Sequence, residues 1–346
     1  MQEKIIEKPL SLYFGVMILA VVTIAGLAYV KWIPYYAKVF IAQSHHAIGD
    51  SILSGKAASA PPASWHAATN YAIAYGKSIW QALVLGLLLG SGIKVLLPGQ
   101  WISKVLGRMG FKGTLLGGMF GIPTMMCTCC AAPVAVALRQ SRASVGSVVS
   151  WWLSNPILNP ATLVFMGFVL GWGWALFRLV LGIAMVLGIA YLAERYASPG
   201  EIKATNFTPE PALKSRFLAR WAKEFVALAT RLVPEYLILV LLLGAARAWL
   251  FPVLGAHDGV LWIVVMAFAG TLFVIPTAGE VPIVQAMFML GLGVGPAGAL
   301  VMTLPAVSLP SLAMMGRALS LRTRLVIAFG IVFSGIASGL IAMAVF

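Results

Sequence analysis

Residues 122–133 read Ile122-Pro123-Thr124-Met125-Met126-Cys127-Thr128-Cys129-Cys130-Ala131-Ala132-Pro133 and hold every cysteine of the chain. A proline in a helix interior removes one hydrogen bond and clashes with the preceding turn. Pro123 and Pro133 therefore loosen the backbone between them and free N–H and carbonyl groups. The stretch lies in the middle of a long apolar segment, and in lipid such groups persist only where protein buries them or where they line a cavity. It predicts a helix break at membrane depth with thiols and thioethers at its tip. Soft ligands of this kind favour Cu(I), Zn or, by chemical analogy, trivalent arsenic and antimony over Na⁺ or Mg²⁺. A structural reading stands beside this one: cysteine is small and readily buried, and methionine fills gaps in cores.

The rest of the composition agrees with a membrane setting. Hydrophobic residues make up 61% of the 346 and charged residues 10%, with mean hydropathy +0.95. A soluble domain carries about 25% charged residues. The apolar runs are too continuous for a β-barrel, whose strands alternate over about 10 residues. The net charge of +14 does not mark a nucleic-acid partner, because the basic residues sit in short loops and at segment ends. Lys4 and Lys8 precede an apolar run over 12–30, which reads as an uncleaved first helix rather than a signal peptide. Three clustered cysteines set no disulfide framework.

Compared with itself, the chain repeats. Leu87-Leu88-Leu89-Gly90 recurs as Leu241-Leu242-Leu243-Gly244, and Ile122-Pro123-Thr124 as Ile275-Pro276-Thr277. The spacing of Pro133, Gly146 and Pro156 recurs in Pro282, Gly295 and Pro305. Four parts follow: an N-terminal transmembrane helix and external loop (1–67), a first repeat (68–195), a cytoplasmic basic linker (196–222) and a second repeat (223–346). Each repeat has a Pro-broken segment, 113–139 or 259–292. If these are re-entrant, all but six of the 24 Lys and Arg residues fall on the cytoplasmic side. Each half then crosses three times, and the halves have opposite orientation, as in many secondary transporters. The predicted fold is thus an all-α polytopic membrane protein: two inverted structural repeats with re-entrant hairpins, plus one extra N-terminal transmembrane helix. Nine full spans with parallel repeats is the alternative.

Further constellations accompany the cysteines. Glu280 lies between the prolines of the second broken segment, with no other charged residue from Asp258 to Arg317. An intramembrane carboxylate is a functional candidate by default: it carries a coupling proton, pairs with a substrate cation, or braces its hairpin as a protonated acid. Asn155-Pro156-Ile157-Leu158-Asn159-Pro160 is matched by Leu304-Pro305-Ala306-Val307-Ser308-Leu309-Pro310. Asn155, Asn159 and Ser308 offer polar groups at depth, either lining a path or satisfying freed backbone. Arg231 and Glu235 have the spacing of a pair on one helix face. His45, His46 and Asp50 fall in an external loop over 42–69, where solvation is a simpler reading than metal binding. No nucleotide-binding loop, zinc-protease helix or Ser/His/Asp arrangement is apparent, so neither an enzyme nor a cofactor is expected.

At these motifs the sequence resembles the ArsP-type (predicted permease) family over roughly residues 70–345. The resemblance rests on Pro123, Cys127, Cys129 and Pro133, on Asn155 to Pro160, on Pro276-Thr277 with Gly279-Glu280 and Pro282, and on Pro305 to Pro310. It departs at Cys130, where glycine is the family pattern, and at Ala278, where an acid is. The resemblance implies a permease of the bacterial plasma membrane, some of whose relatives export trivalent organoarsenicals. The expected substrate-binding and translocation residues are Cys127, Cys129, Cys130, Asn155, Asn159, Glu280, Thr277 and Ser308, the three cysteines being the ligands if the substrate is a soft metal or metalloid. The partners are the lipid bilayer, a small inorganic or organometalloid substrate and a possible coupling proton. A transmembrane thiol-redox protein and a passive channel for a neutral solute are the competing readings.

Overall fold

The computed structural model describes residues 9–53, 60–97, 99–197, 217–251 and 258–346, and every regular element among them is a helix. A first rod consists of α1 (Pro9–Leu27) and α2 (Ile33–His45), continuous through one π-helical turn at Ala28–Trp32. Then come α3 (Trp65–Leu96), the short α4 (Gly99–Leu106), α5 (Phe111–Gly121), α6 (Thr128–Gln140), α7 (Val145–Ile157), α8 (Pro160–Val169) and α9 (Trp172–Tyr196). The order recurs as α10 (Phe217–Leu250), α11 (Val260–Leu272), α12 (Glu280–Met289), α13 (Val294–Ala306), α14 (Leu309–Met315) and α15 (Leu321–Val345). Most of the basic linker, residues 198–216, lies outside the described residues.

Among the described residues, six stretches are long and apolar enough to cross a membrane: Phe14–His45, Trp65–Leu96, Trp172–Tyr196, Leu218–Leu250, Val294–Met315 and Leu321–Val345. Their outward faces expose Val21, Ile24, Trp80, Leu242, Phe329 and Phe333. Apolar exposure on this scale is a membrane-facing surface.

The half-length helices have a different geometry. At 1.5 Å per residue, α5 and α6 each span only about 15–20 Å, short of the roughly 30 Å hydrocarbon core. Gly113, Gly117 and Gly121 of α5 lie in turn against Ser147, Ser150 and Ser154 of α7, so these two helices run in parallel. α6 runs antiparallel to α7, joined to it by a tight turn at one end and tied at the other by Trp152 Nε1, which donates to the Thr128 carbonyl (2.9 Å). The segment therefore doubles back. At its mouth the Ser144 amide donates to the Leu106 carbonyl (2.8 Å). The second half follows the same plan: Ile263 and Gly270 of α11 lie against Gly295 and Thr303 of α13, and the Asp258 side chain sits beside Gly293.

Corresponding helices of the two halves face each other in antiparallel pairs. Along α3 and α10, Trp221 Nε1 donates to the Leu88 carbonyl, while Gly244 packs on Tyr71. Along α9 and α15, Arg322 covers the Tyr196 ring at one end and Trp174 stacks on Phe346 (4.4 Å) at the other.

Two local expectations meet different partners. Glu235 pairs with Arg317 (3.3 Å) rather than Arg231, because the Arg317 guanidinium also donates to the Arg231 carbonyl and so occupies the space between them. His46 is tied into the fold: its Nδ1 lies 2.8 Å from the Phe168 carbonyl oxygen, and its own carbonyl accepts from Gln285 Nε2.

Candidate functional site

Both hairpins turn on the same word. After Ile122-Pro123-Thr124 comes Met125 with φ 50°, and after Ile275-Pro276-Thr277 comes Ala278 with φ 66°. The left-handed conformation costs a side-chain-bearing residue about 1–2 kcal/mol, and backbone held this way is typical of functional sites. The turn ends one half-helix and starts the next with its N-terminus at the tip. Cys127 holds the N-cap position of α6 without a side-chain capping bond, and Cys129 and Cys130 lie in its first turn; Glu280 is the first residue of α12.

All three thiols are free and buried. The three-residue spacing places Cys127 and Cys130 on one face of α6, with their sulfurs 3.0 Å apart. Cys129 faces away from that pair, its sulfur 3.4 Å from Ser308 Oγ. Ser308 is the N-cap of α14, in a reciprocal capping box with Ser311. Among the described residues, no three His, Cys, Asp or Glu side chains converge as a metal-ligand set.

Glu280 is not isolated. Arg178 of α9, fully buried, donates through Nη1 to Glu280 Oε1 (2.6 Å), through Nη2 to the Pro156 carbonyl (2.6 Å) and through Nε to the Ile157 carbonyl (3.1 Å). One arginine thus neutralises the carboxylate and takes up two carbonyls at the end of α7. Glu280 Oε2 has no hydrogen-bond partner among the described residues.

The two asparagines serve the backbone. Asn155 Oδ1 accepts from the Thr124 hydroxyl and the Met126 amide, and its Nδ2 donates to the Trp151 carbonyl (2.8 Å). It fixes the cysteine hairpin onto α7. Asn159 caps α8, accepting from the amides of Ala161 (3.0 Å) and Thr162 (3.3 Å).

A crevice opens where these parts meet. Cys127, Thr277, Glu280 and Ser308 line it together with Pro156 and Pro305 from the two helix breaks, and it has room for about one water molecule. Four of the eight residues expected from sequence thus face one space. Cys130 sits against Cys127 and Cys129 against Ser308, whereas Asn155 and Asn159 hold the surrounding backbone.

Three residues here are not predicted by sequence motif. Arg178 is one. The others, Lys31 and Trp32, come from the π-helical turn of the first rod. Lys31 Nζ donates to Thr277 Oγ1 (3.1 Å) and Tyr35 Oη (3.2 Å), and Trp32 Nε1 donates to the Pro123 carbonyl (2.9 Å). The available signal was the isolation of Lys31 and Arg178 within apolar runs, away from the basic clusters.

Comparison with known proteins places this arrangement. A family model of the ArsP type, described as "Predicted permease", matches residues 64–344. The UPF0718 protein YraQ of Escherichia coli (strain K12) is 51% identical over 326 residues, covering 91% of this chain and 92% of that protein. The UPF0718 protein MJ0584 of Methanocaldococcus jannaschii is 21% identical over 307 residues, covering 69% and 84%. No solved structure matches.

Proposed function

Because the chain belongs to the ArsP-type predicted permease family, we propose that this membrane permease is a secondary transporter that exports a small thiophilic species, such as a trivalent organoarsenical, from a bacterial cell across its plasma membrane. The observation that carries the reading is the convergence of the Cys127 and Glu280 hairpin tips on one crevice between two broken helices. Such a site, near the midplane and built from half-helix ends, is the plan of transporters with inverted repeats. The antiparallel pairing of α3 with α10 and of α9 with α15 supports opposite orientation of the halves.

The chemistry of the pair fits the cargo. A monoalkyl arsenical, R–As(OH)₂, has two exchangeable positions. Cys127 and Cys130, sulfurs in contact, supply two thiols on one face; two As–S bonds form, two As–O bonds break, and two waters leave. Cys129 stands to one side as a further soft contact, and the two asparagines keep the path's walls in place. Glu280, with one oxygen unpartnered, is positioned to take a coupling proton.

The test is expression in an arsenic-sensitive bacterium, with resistance and intracellular arsenic measured for the wild type and a Cys127/Cys129/Cys130→Ser variant. Lower accumulation in wild type than in the variant is expected; equal accumulation with and without the protein defeats the arsenical reading.

A second reading draws on the same sulfur contact. Two cysteines three residues apart at a helix N-terminus also form a thiol–disulfide pair in oxidoreductases. Trapping a mixed disulfide between Cys127 and a periplasmic thiol protein would favour that reading over transport.

A further inference from the structure

The first rod lies outside the matched family region, which begins at residue 64, yet it places a cation beside the thiols. Lys31 sits in the π-helical turn at Ala28–Trp32. A π turn is a local distortion that recurs at functional sites. The Lys31 side chain is only 6% exposed. Its ammonium has three N–H donors. Two go to the neutral hydroxyls of Tyr35 and Thr277, and no carboxylate among the described residues forms an ion pair with it. Cys127 and Cys130 lie within its electrostatic reach, and Thr277, which it holds, lines the crevice.

The carboxylate at the crevice is already taken: Glu280 is neutralised by Arg178, so Lys31 meets no carboxylate among the described residues. The N-termini of α6 and α12, which add partial positive charge, start at the same tips. A buried charge without a counter-charge is strongly disfavoured. A counter-charge arriving with the cargo relieves it, as substrate anions do at half-helix N-termini in other transporters.

We infer that Lys31 is a specificity-determining residue and that the cargo bound at the thiols carries a negatively charged group, so that a thiophilic anion is taken in preference to a thiophilic cation. This rests on the thiol site proposed above.

The test uses the full-length protein in detergent and three trivalent alkylarsenicals that share one thiophilic head: methyl (uncharged), carboxymethyl (anionic) and trimethylammonioethyl (cationic). Occupancy is read as protection of Cys127, Cys129 and Cys130 from maleimide labelling, located by mass spectrometry. In the wild type the carboxymethyl compound is expected to half-protect at a concentration at least tenfold below that of the trimethylammonioethyl compound. With each half-protection concentration taken relative to that of the methyl compound in the same variant, Lys31→Met should shrink that ratio to within about threefold, and Lys31→Arg should preserve it. A ratio unaltered by Lys31→Met overturns the inference and leaves Lys31 as a brace. Protection by none of the three compounds in the wild type removes the thiol site itself, and this inference with it.

Discussion

The two hairpins share a backbone and differ in chemistry. Each turns at Ile-Pro-Thr followed by a left-handed residue, and each starts a half-helix at its tip. One tip carries three thiols in mutual or hydroxyl contact; the other carries a carboxylate bound to an arginine from α9. The turn is the same in both, and the residues just after it differ. The difference teaches where each hairpin gets its order. The glutamate hairpin is pinned by an ion pair, the cysteine hairpin by close backbone packing on α3. A Cβ on Gly86 would stand 2.1 Å from the Cys130 carbonyl oxygen, and one on Gly90 2.7 Å from that of Pro133. Gly244, the repeat counterpart of Gly90, meets the Tyr71 side chain instead.

Removing one partner of the buried ion pair should have the largest effect. Arg178→Met leaves Glu280 charged and unpaired and frees the Pro156 and Ile157 carbonyls, a loss of about 3–5 kcal/mol. Thermal unfolding in detergent should show the drop, and Arg178→Met with Glu280→Gln should recover part of it. A single variant as stable as the wild type would mean the pair does not pin that hairpin.

Next comes the cysteine hairpin's own anchor. Gly86→Ala must push α6 away from α3, at about 1–3 kcal/mol. It should also raise the maleimide reactivity of Cys130, which a purely local loss of stability would leave unchanged.

The shared turn can be probed at Ala278. A β-branched residue fits the left-handed conformation poorly, so Ala278→Val should lower stability by about 1–2 kcal/mol relative to Ala278→Gly. Parallel unfolding curves for the two variants would check this, and equal midpoints would remove the conformational argument.

The smallest stability effect belongs to the thiols. Cys127→Ser preserves shape and a hydrogen-bonding group, so it should shift stability by no more than about 1 kcal/mol. The same variant should abolish protection by methylarsonous acid. A large stability loss would place Cys127 with the packing residues rather than with the cargo.

Much of this arrangement was legible in the chain. Proline pointed to both breaks, where Pro123 and Pro276 precede the left-handed turns, although Pro133, Pro156, Pro234 and Pro305 are carried inside helices. The clustering of Cys127, Cys129 and Cys130 and the isolation of Glu280 located both tips. The contacts that tune those tips were not legible. Arg178 meets Glu280 across 102 positions, and Lys31 meets Thr277 across 246. Neither helix carries a motif, so only packing brings them in. Asn155 and Asn159 show the converse. Their Asn-Pro words were plain, but sequence alone left open whether the side chains face a path or the backbone; Asn155 binds backbone and the Thr124 hydroxyl, while Asn159 caps α8 through Oδ1 and its Nδ2 has no partner among the described residues.

The crevice between the tips has room for about one water molecule. A file of hydrogen-bonded waters, the conduit along which protons leak, needs more room than this crevice gives. Trp32 on Pro123 and Lys31 on Thr277 clasp both tips from one rod, so in the proposed transport cycle cargo enters only by loosening a fastening that spans the two hairpins at once.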